Sequence, residues 1–233
     1  FSILLSMFIG SLGGLAQIKI KILLAYSGVI NVSYLLLALL VNNLDGLVAF
    51  IIYIVQYSFT HFNLFASILL MSYYLFNFDS KEKYNNIIYG FNSYSPVEFI
   101  QQFVGLLNKN SYLAMAILIS LFSLIGIPPL VGFFGKLYIL IASLKSGFVL
   151  LSVGLIIFSL ITTVYYAYVI KVISFDNSFK FNNLQLNYEN NNQFSSCITY
   201  FISVITLFTI LNFLHIDVLV QGAYILACNI FTL

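Results

Sequence analysis

Lys136 is the residue whose type and position point most clearly to chemistry. It lies deep in a long apolar stretch, in Gly132-Phe-Phe-Gly135-Lys136-Leu-Tyr138, and Lys145 follows nine residues later. Nine helical residues cover ~13 Å, which places Lys136 near the middle of a membrane. A lone charge at that depth is costly and rarely faces lipid, and a buried lysine can exchange a proton near neutral pH. We therefore expect Lys136 to handle protons, with a structural lysine paired with a carbonyl or an acid as the alternative.

A helix break is predicted shortly before this lysine, at Gly126-Ile-Pro128-Pro129. Proline has no backbone N–H and clashes with the carbonyl four residues earlier. The carbonyls of Leu124 and Ile125 are therefore expected to be free inside the membrane. Irregular backbone at that depth must be buried in protein or line a wet cavity, as in the broken helices of ion transporters. The alternative is a kink that serves packing alone.

Two further residues have side chains suited to proton transfer. Lys21 opens the second apolar run, where it is either a proton carrier or an anchor that reaches the membrane surface. His61 lies midway along the third run, and histidine titrates near physiological pH. Tyr57, Thr60 and Asn63 are candidate hydrogen-bond partners for it or for water. A plain hydrogen bond between helices is the alternative for His61.

The composition sets the class of protein. Of the 233 residues, 61% are apolar and 7% are charged, against roughly a quarter charged in ordinary globular domains. So few charges exclude a soluble enzyme, a nucleic-acid binder and a disordered chain. The mean hydropathy is +1.03, so the chain is predicted to be an integral membrane protein in contact with lipids. All nine basic residues are lysine, and the composition indicates an AT-rich genome such as an organellar one.

The apolar runs predict an all-α fold, a polytopic transmembrane helix bundle forming a single domain over 1–233. Each run is continuous rather than alternating, which favours helices over a β-barrel. The tail 216–233 is predicted to be an interfacial helix, with a seventh span as the alternative. The polar stretches 77–110 and 176–195 are predicted to be loops outside the membrane. About six spans are expected, the fourth of them broken, at 1–16, 22–42, 46–72, 112–144, 147–173 and 197–215.

Lysine positions predict the orientation of these spans. Six spans put most lysines on one side of the membrane, and Lys145 alone on the other. The positive-inside rule makes the lysine-rich side cytoplasmic, or matrix in a mitochondrion. The lysines of that side are Lys19, Lys21, Lys81, Lys83, Lys109 and Lys180, with Lys171 at its edge.

The sequence indicates no metal or cofactor site in this chain. Cys197 and Cys228 lie among apolar neighbours and are predicted to be small buried side chains. No Gly-rich phosphate loop follows a strand, and no basic region precedes the first apolar run as in a secretory signal. The spans also offer no acid to pair with Lys136 or Lys21. Water, His61 and lysines must therefore suffice, or another chain supplies the acid.

Two segments resemble a known family. Residues 17–27, Gln-Ile-Lys-Ile-Lys-Ile-Leu-Leu-Ala-Tyr-Ser, resemble the Q-x-x-x-K-R-x-L-A-Y-S-S pattern of the antiporter-like membrane subunits of respiratory complex I. Residues 123–136 resemble the more specific S-L-x-G-x-P-P-x-x-G-F-x-x-K pattern of that family. The two patterns occur in the family's order, and the resemblance extends weakly over nearly the whole chain. The subunit 2 branch fits best, because Leu137-Tyr138 follows Lys136 and because Gly105-Leu106 and Tyr165-Tyr166 are similar to that branch.

The sequence also departs from the family pattern. Ile22 replaces the usual basic residue after Lys21, Gly28 replaces a serine, and Asn31 stands where a histidine is common. The chain resembles only the C-terminal half of the subunit. A split gene, with a separate chain supplying the N-terminal half, is the expected explanation.

The resemblance implies a proton-translocating subunit of an NADH:ubiquinone oxidoreductase, with no redox centre of its own, in the mitochondrial inner membrane. It assigns Lys136 to an outward-leading half-channel and Lys21 to the start of the following span, and it gives His61 no secure role. Expected partners are other antiporter-like and small membrane subunits. A subunit of a multi-subunit cation/proton antiporter is the alternative, and a purely structural membrane scaffold is the third possibility.

The lysine asymmetry yields a topological prediction. Protease added to inner-membrane vesicles with the matrix face outside should cut within both 77–110 and 176–195. Sealed vesicles of the opposite orientation serve as the control. Protection of both segments in the first preparation, judged by the fragment pattern on immunoblots, would overturn the orientation.

Overall fold

Each apolar run forms a helix, because backbone groups inside a membrane must bond within their own segment. The computed structural model describes residues 1–82, 97–175, 196–211 and 216–231. The predicted all-α helix bundle is confirmed. A 3₁₀ turn, Ile100–Phe103, precedes α4. The α-helices are α1 (Ser2–Leu15), α2 (Ile20–Leu40), α3 (Leu44–Glu82), α4 (Leu106–Lys109), α5 (Ser111–Ile125), α6 (Val131–Lys145), α7 (Val149–Ser174), α8 (Ser196–Leu211) and α9 (Ile216–Phe231).

Helix lengths support fewer full spans than predicted. Within the described ranges α2, α3 as far as Tyr73, and α7 are long and apolar enough to cross a membrane. The predicted first span is the 14-residue α1, and the fourth is divided into α5 and α6 of 15 residues each, or ~22 Å apiece. The tail forms α9, which meets α8 at 91°. These two helices cannot both follow the membrane normal, and the interfacial position of the tail stays a prediction.

The predicted break in the fourth span is confirmed. α5 ends at Ile125, and Gly126 caps it with a left-handed φ of +89°, a conformation that favours glycine. In a continuous helix, the residues at 128 and 129 would donate to the carbonyls of Leu124 and Ile125. Pro128 and Pro129 have no N–H to give, so α6 starts afresh beyond them.

The segment before α5 packs into the bundle instead of forming a simple external loop. Val97, Ile100, Phe103 and Leu106 are buried in a core shared with α2, α3, α5 and α7. The structure therefore differs from the predicted loop 77–110 at both ends, since α3 also continues to Glu82. The predicted loop 176–195 lies outside the described residues.

The two ends of the bundle are marked by charged contacts. At one end, Ile20 N–H donates to the carbonyl of Glu98 at 2.9 Å, and Lys19 Nζ lies 3.5 Å from Glu98 Oε2. At the other end of α2, Lys145 Nζ donates to Asp45 Oδ2 at 2.7 Å, and the hydroxyl of Tyr224 donates to Asp45 Oδ1 at 3.4 Å. Segments 17–21 and 97–100 therefore share one end, and Lys145 lies at the opposite one. Which end faces the matrix stays a prediction.

Close packing at the helix break predicts that a methyl group added at Gly132 destabilises the protein. A Cβ on Gly132 would collide with the backbone carbonyl of Ser123 and lie 3.1 Å from Gln56 Nε2. Backbone cannot move aside easily, so we expect Gly132→Ala to lower the free energy of unfolding by ~1–3 kcal/mol. Gly222→Ala in α9 is the matched control, because nothing lies within 4 Å of its added Cβ. The two variants are compared by heating detergent-solubilised membranes and measuring how much of the chain stays soluble at each temperature. Equal midpoints for the two variants would contradict the packing argument.

Candidate functional site

Lys136 binds the end of the helix that the prolines interrupt. Its Nζ donates to the carbonyl of Leu124 at 2.8 Å and to that of Ile125 at 2.9 Å. These are the two carbonyls that lack helical donors because of Pro128 and Pro129. The side chain is partly buried. The sequence thus places the lysine one helical turn and a half into α6, where it folds back onto α5.

The C-terminus of α5, and not an acidic side chain, lies beside the Lys136 ammonium. The last carbonyls of a helix carry the negative end of its dipole, which stabilises a nearby cation. Among the described side chains, no carboxylate forms an ion pair with Lys136; Glu98 pairs with Lys19, and Asp45 pairs with Lys145. The contact uses two of the three N–H groups of the ammonium. It is compatible with a structural lysine and with a proton carrier.

Glycine brings α6 against a polar face of α3. A Cβ on Gly135 would collide with Gln56 Oε1 and lie 2.9 Å from Tyr53 Cδ2. Gln56 Oε1, Ser123 Oγ and the hydroxyl of Tyr34 are buried without a hydrogen-bond partner among the described residues. Buried polar atoms of this kind are suited to binding water.

A chain of aromatic and amide groups leads from Lys136 to His61. Lys136 Nζ lies 6.0 Å from the centroid of the Tyr34 ring, and that ring meets Tyr53 edge-on, with centroids 6.1 Å apart. The hydroxyl of Tyr53 donates to Asn31 Oδ1 at 2.9 Å. Asn31 Nδ2 in turn lies 3.4 Å from His61 Nε2. Two of the three predicted site residues, Lys136 and His61, are thereby joined through contacts inside the bundle.

The three expected hydrogen-bond partners of His61 make other contacts in the structure. The ring of Tyr57 packs against it with centroids 4.3 Å apart. Thr60 instead donates to backbone carbonyls of its own helix, and Asn63 Nδ2 donates to the carbonyl of Ala116 on α5 at 3.3 Å. Helical geometry turns these two side chains away from the imidazole.

Lys21 lies apart from this group. It is exposed in the first turn of α2, ten residues or ~15 Å before Asn31 along the helix. It therefore belongs to the end of the bundle where Lys19 meets Glu98. The structure does not bring Lys21 beside Lys136 or His61.

The two cysteines differ from the prediction. Cys197 on α8 and Cys228 on α9 are both exposed and do not form a disulfide, because these helices turn them to the outer surface. Within the part of the chain that the structure describes, no group of three or more His, Cys, Asp or Glu side chains could hold a metal ion. That this chain carries no cofactor stays a prediction.

Comparison with known families decides the class of this bundle. The model of the NADH:quinone oxidoreductase/Mrp antiporter transmembrane family matches residues 1–163, which include the helix break, Lys136 and His61. The chain belongs to this family. The predicted resemblance to antiporter-like subunits is therefore confirmed.

Proteins similar to this antiporter-like chain include an NADH-ubiquinone oxidoreductase chain and chains of two solved complexes. The NADH-ubiquinone oxidoreductase chain 2 of Rhizopus oryzae is 43% identical over 175 residues, which are 75% of this chain and 31% of that protein. The Mrp complex from Dietzia sp. DQ12-45-1b contains a similar chain, with a TM-score of 0.75, 18% identity, and coverage of 97% of this chain and 46% of that one. Respiratory complex I from Thermus thermophilus contains another, with a TM-score of 0.66, 20% identity, and coverage of 94% and 43%. This chain thus spans about a third of the curated relative.

Sequence reasoning missed several residues of this antiporter-like site. Asn31 was noted only as a departure from the family pattern, and Tyr34, Tyr53 and Gln56 were not singled out. A signal was present on α3, where polar residues recur at helical spacing from Tyr53 through Gln56 and Thr60. Such a polar stripe on an apolar span marks the side that faces other helices.

Removing the ammonium of Lys136 should destabilise the helix break. Lys136→Met leaves the carbonyls of Leu124 and Ile125 without their donor, so we expect the free energy of unfolding to fall by ~1–3 kcal/mol. Lys145→Met is the matched control, because that exposed lysine forms a surface pair with Asp45, and such pairs contribute little. The stability of both variants is measured by the temperature at which the chain is lost from solution in detergent. An equal loss of stability in the two variants would argue against a role for the carbonyl contact.

Proposed function

We propose that this chain is part of a proton-translocating membrane subunit of respiratory complex I and corresponds to the C-terminal part of subunit 2. Family membership and 43% identity to the Rhizopus oryzae chain 2 support this assignment. The observation that carries it is the position of Lys136, an ionisable group held on free carbonyls at a helix break within an apolar bundle. Such residues inside membranes generally mark ion or proton pathways.

The proposed role of Lys136 follows from its contacts. As an ammonium it is attracted by the negative end of α5, and this attraction weakens when the lysine releases its proton. A proton that arrives or leaves therefore changes how firmly α6 is held to α5. Tyr34, Tyr53 and Asn31 provide the polar groups that continue toward His61. The redox steps, NADH oxidation and quinone reduction, are assigned to other subunits, and the chain contributes to the enzyme as a membrane subunit.

The proposed setting is the mitochondrial inner membrane, where the chain assembles with other antiporter-like and small membrane subunits and with lipids. We further propose that a separate chain supplies the N-terminal half of subunit 2. Chains of similar fold belong to two multi-subunit complexes, respiratory complex I and the Mrp complex, which supports partnership with other membrane subunits.

A cation/proton antiporter subunit is the second candidate. The similarity to a chain of the Mrp complex over 97% of this chain favours it, although at 18% identity it supports only the fold. The identity of 43% to an NADH-ubiquinone oxidoreductase chain favours complex I. In a native gel of membranes solubilised in mild detergent, the chain should migrate with NADH dehydrogenase activity. Migration with other antiporter-like subunits and without that activity would favour the second candidate.

The Lys136→Arg substitution tests whether Lys136 transfers protons. Lys136→Arg keeps donors for the two carbonyls, but guanidinium does not release its proton. We expect the complex to assemble while the rate of proton pumping falls at least ~10-fold. Lys145→Arg, at the exposed end of the same helix, should pump normally. Assembly is measured on native gels and pumping by a pH-sensitive dye in vesicles. Full pumping by assembled Lys136→Arg would remove this residue from the mechanism.

A further inference from the structure

The position of Asn31 between a tyrosine and a histidine carries an inference about proton passage, which rests on the proposed function. We propose that Asn31, oriented by Tyr53, is a positioning residue that sets which ring nitrogen of His61 carries the proton. The three side chains come from two helices, α2 and α3, and are almost fully removed from solvent. Their exposed fractions are 4% for Asn31, 2% for Tyr53 and 8% for His61.

The contacts in the structure define one orientation of the Asn31 amide. The hydroxyl of Tyr53 donates to Asn31 Oδ1 at 2.9 Å, so the amide nitrogen points the other way. That nitrogen lies 3.4 Å from His61 Nε2 and can only donate. His61 Nε2 must then accept, and the neutral ring carries its hydrogen on Nδ1. Nε2 cannot carry a proton in this arrangement, because two N–H groups would face each other.

The same three groups have a second arrangement that keeps one hydrogen bond between Tyr53 and Asn31 and one between Asn31 and His61. If the Asn31 amide rotates by half a turn, Oδ1 faces His61 and accepts from an Nε2–H. The hydroxyl of Tyr53 then accepts from Nδ2, because a phenol oxygen both donates and accepts. Rotation of one amide therefore exchanges the two neutral tautomers of the ring.

Proton passage across His61 requires this exchange. When one water molecule gives a proton to Nε2 and another takes the proton from Nδ1, the net charge of the ring is unchanged and its tautomer is reversed. The ring can repeat the transfer in the same direction only after the tautomer is reset. Asn31 is thus the group that must turn with each proton, and Tyr53 holds it in each of its two positions.

Asn31→Asp tests the proposal with almost no change in shape. The electrically neutral pair of the added carboxyl group and His61 holds one proton more than the native pair of amide and His61. This is so whether the proton lies on the carboxyl group or on the imidazole. We expect a normally assembled complex whose rate of proton pumping falls roughly tenfold. Tyr53→Phe, which removes only the hydroxyl, should lower pumping about fivefold, the value of one hydrogen bond. Tyr112→Phe, at a position 88% exposed, is the control and should pump normally.

A double-mutant cycle separates positioning from a structural role. If Asn31 and Tyr53 act through His61, neither Asn31→Asp nor Tyr53→Phe should lower pumping further in a His61→Asn background. The proposal would be overturned if Asn31→Asp or Tyr53→Phe lowered pumping further in the His61→Asn background. Full pumping by both single variants in assembled complexes would also overturn it. Migration of the chain apart from NADH dehydrogenase activity on the native gel would instead refute the proposed function. A defective Lys136→Arg with unaffected Asn31→Asp and Tyr53→Phe would refute this inference alone.

Discussion

The bond from the Lys136 ammonium to the carbonyls of Leu124 and Ile125 is the interaction on which the site depends. Two prolines leave these carbonyls without helical donors, and hydrocarbon offers no water to replace them. The lysine supplies both donors from the following helix. In return, the end of α5 supplies the negative potential that a cation at this depth needs. Each feature would be costly alone, and together they stabilise one another.

Close approach of backbones is the second requirement of this arrangement. Gly132 lets α6 pack against the last turn of α5, and Gly135 lets it pack on Gln56 and Tyr53 of α3. Inside a membrane, small residues promote helix association because they allow this kind of contact. The same glycines that permit the packing also bring the polar face of α3 within reach of the lysine. The same two glycines therefore stabilise the helix break and place polar side chains in the interior of the bundle.

The polar interior contrasts with the surface of the bundle. Buried Asn, Gln, Ser, Thr, Tyr and His side chains lie on the inner faces of α2, α3, α5 and α7, whereas the exposed residues are largely Leu, Ile, Val and Phe. A polar group costs less between helices than against lipid tails, provided that it finds a partner. Asn31 meets this condition by bonding to Tyr53 and lying beside His61. Such a pair in an apolar bundle constrains how α2 and α3 can pack.

The sequence alone was sufficient for the class of protein, the helix break and the key lysine. Long apolar runs have few alternatives to helices in a membrane, and prolines act locally, so Pro128 and Pro129 could be read without tertiary information. Lengths were less predictable, because helix ends depend on caps and packing. α3 runs beyond the predicted boundary, and the polar segment 97–110 contributes buried residues to the core.

Only the tertiary structure decided the partners of the site residues. The sequence predicted free carbonyls at Leu124 and Ile125 and left open whether Lys136 pairs with a carbonyl, with water or with an acid of another chain, and the folded chain gives it these two carbonyls. It also placed Asn31 beside His61 and left Lys21 at the far end of α2. These outcomes depend on the rotation and depth of each helix relative to its neighbours. Those quantities arise from side-chain packing between segments distant in sequence, whereas hydropathy and spacing report only on each segment by itself.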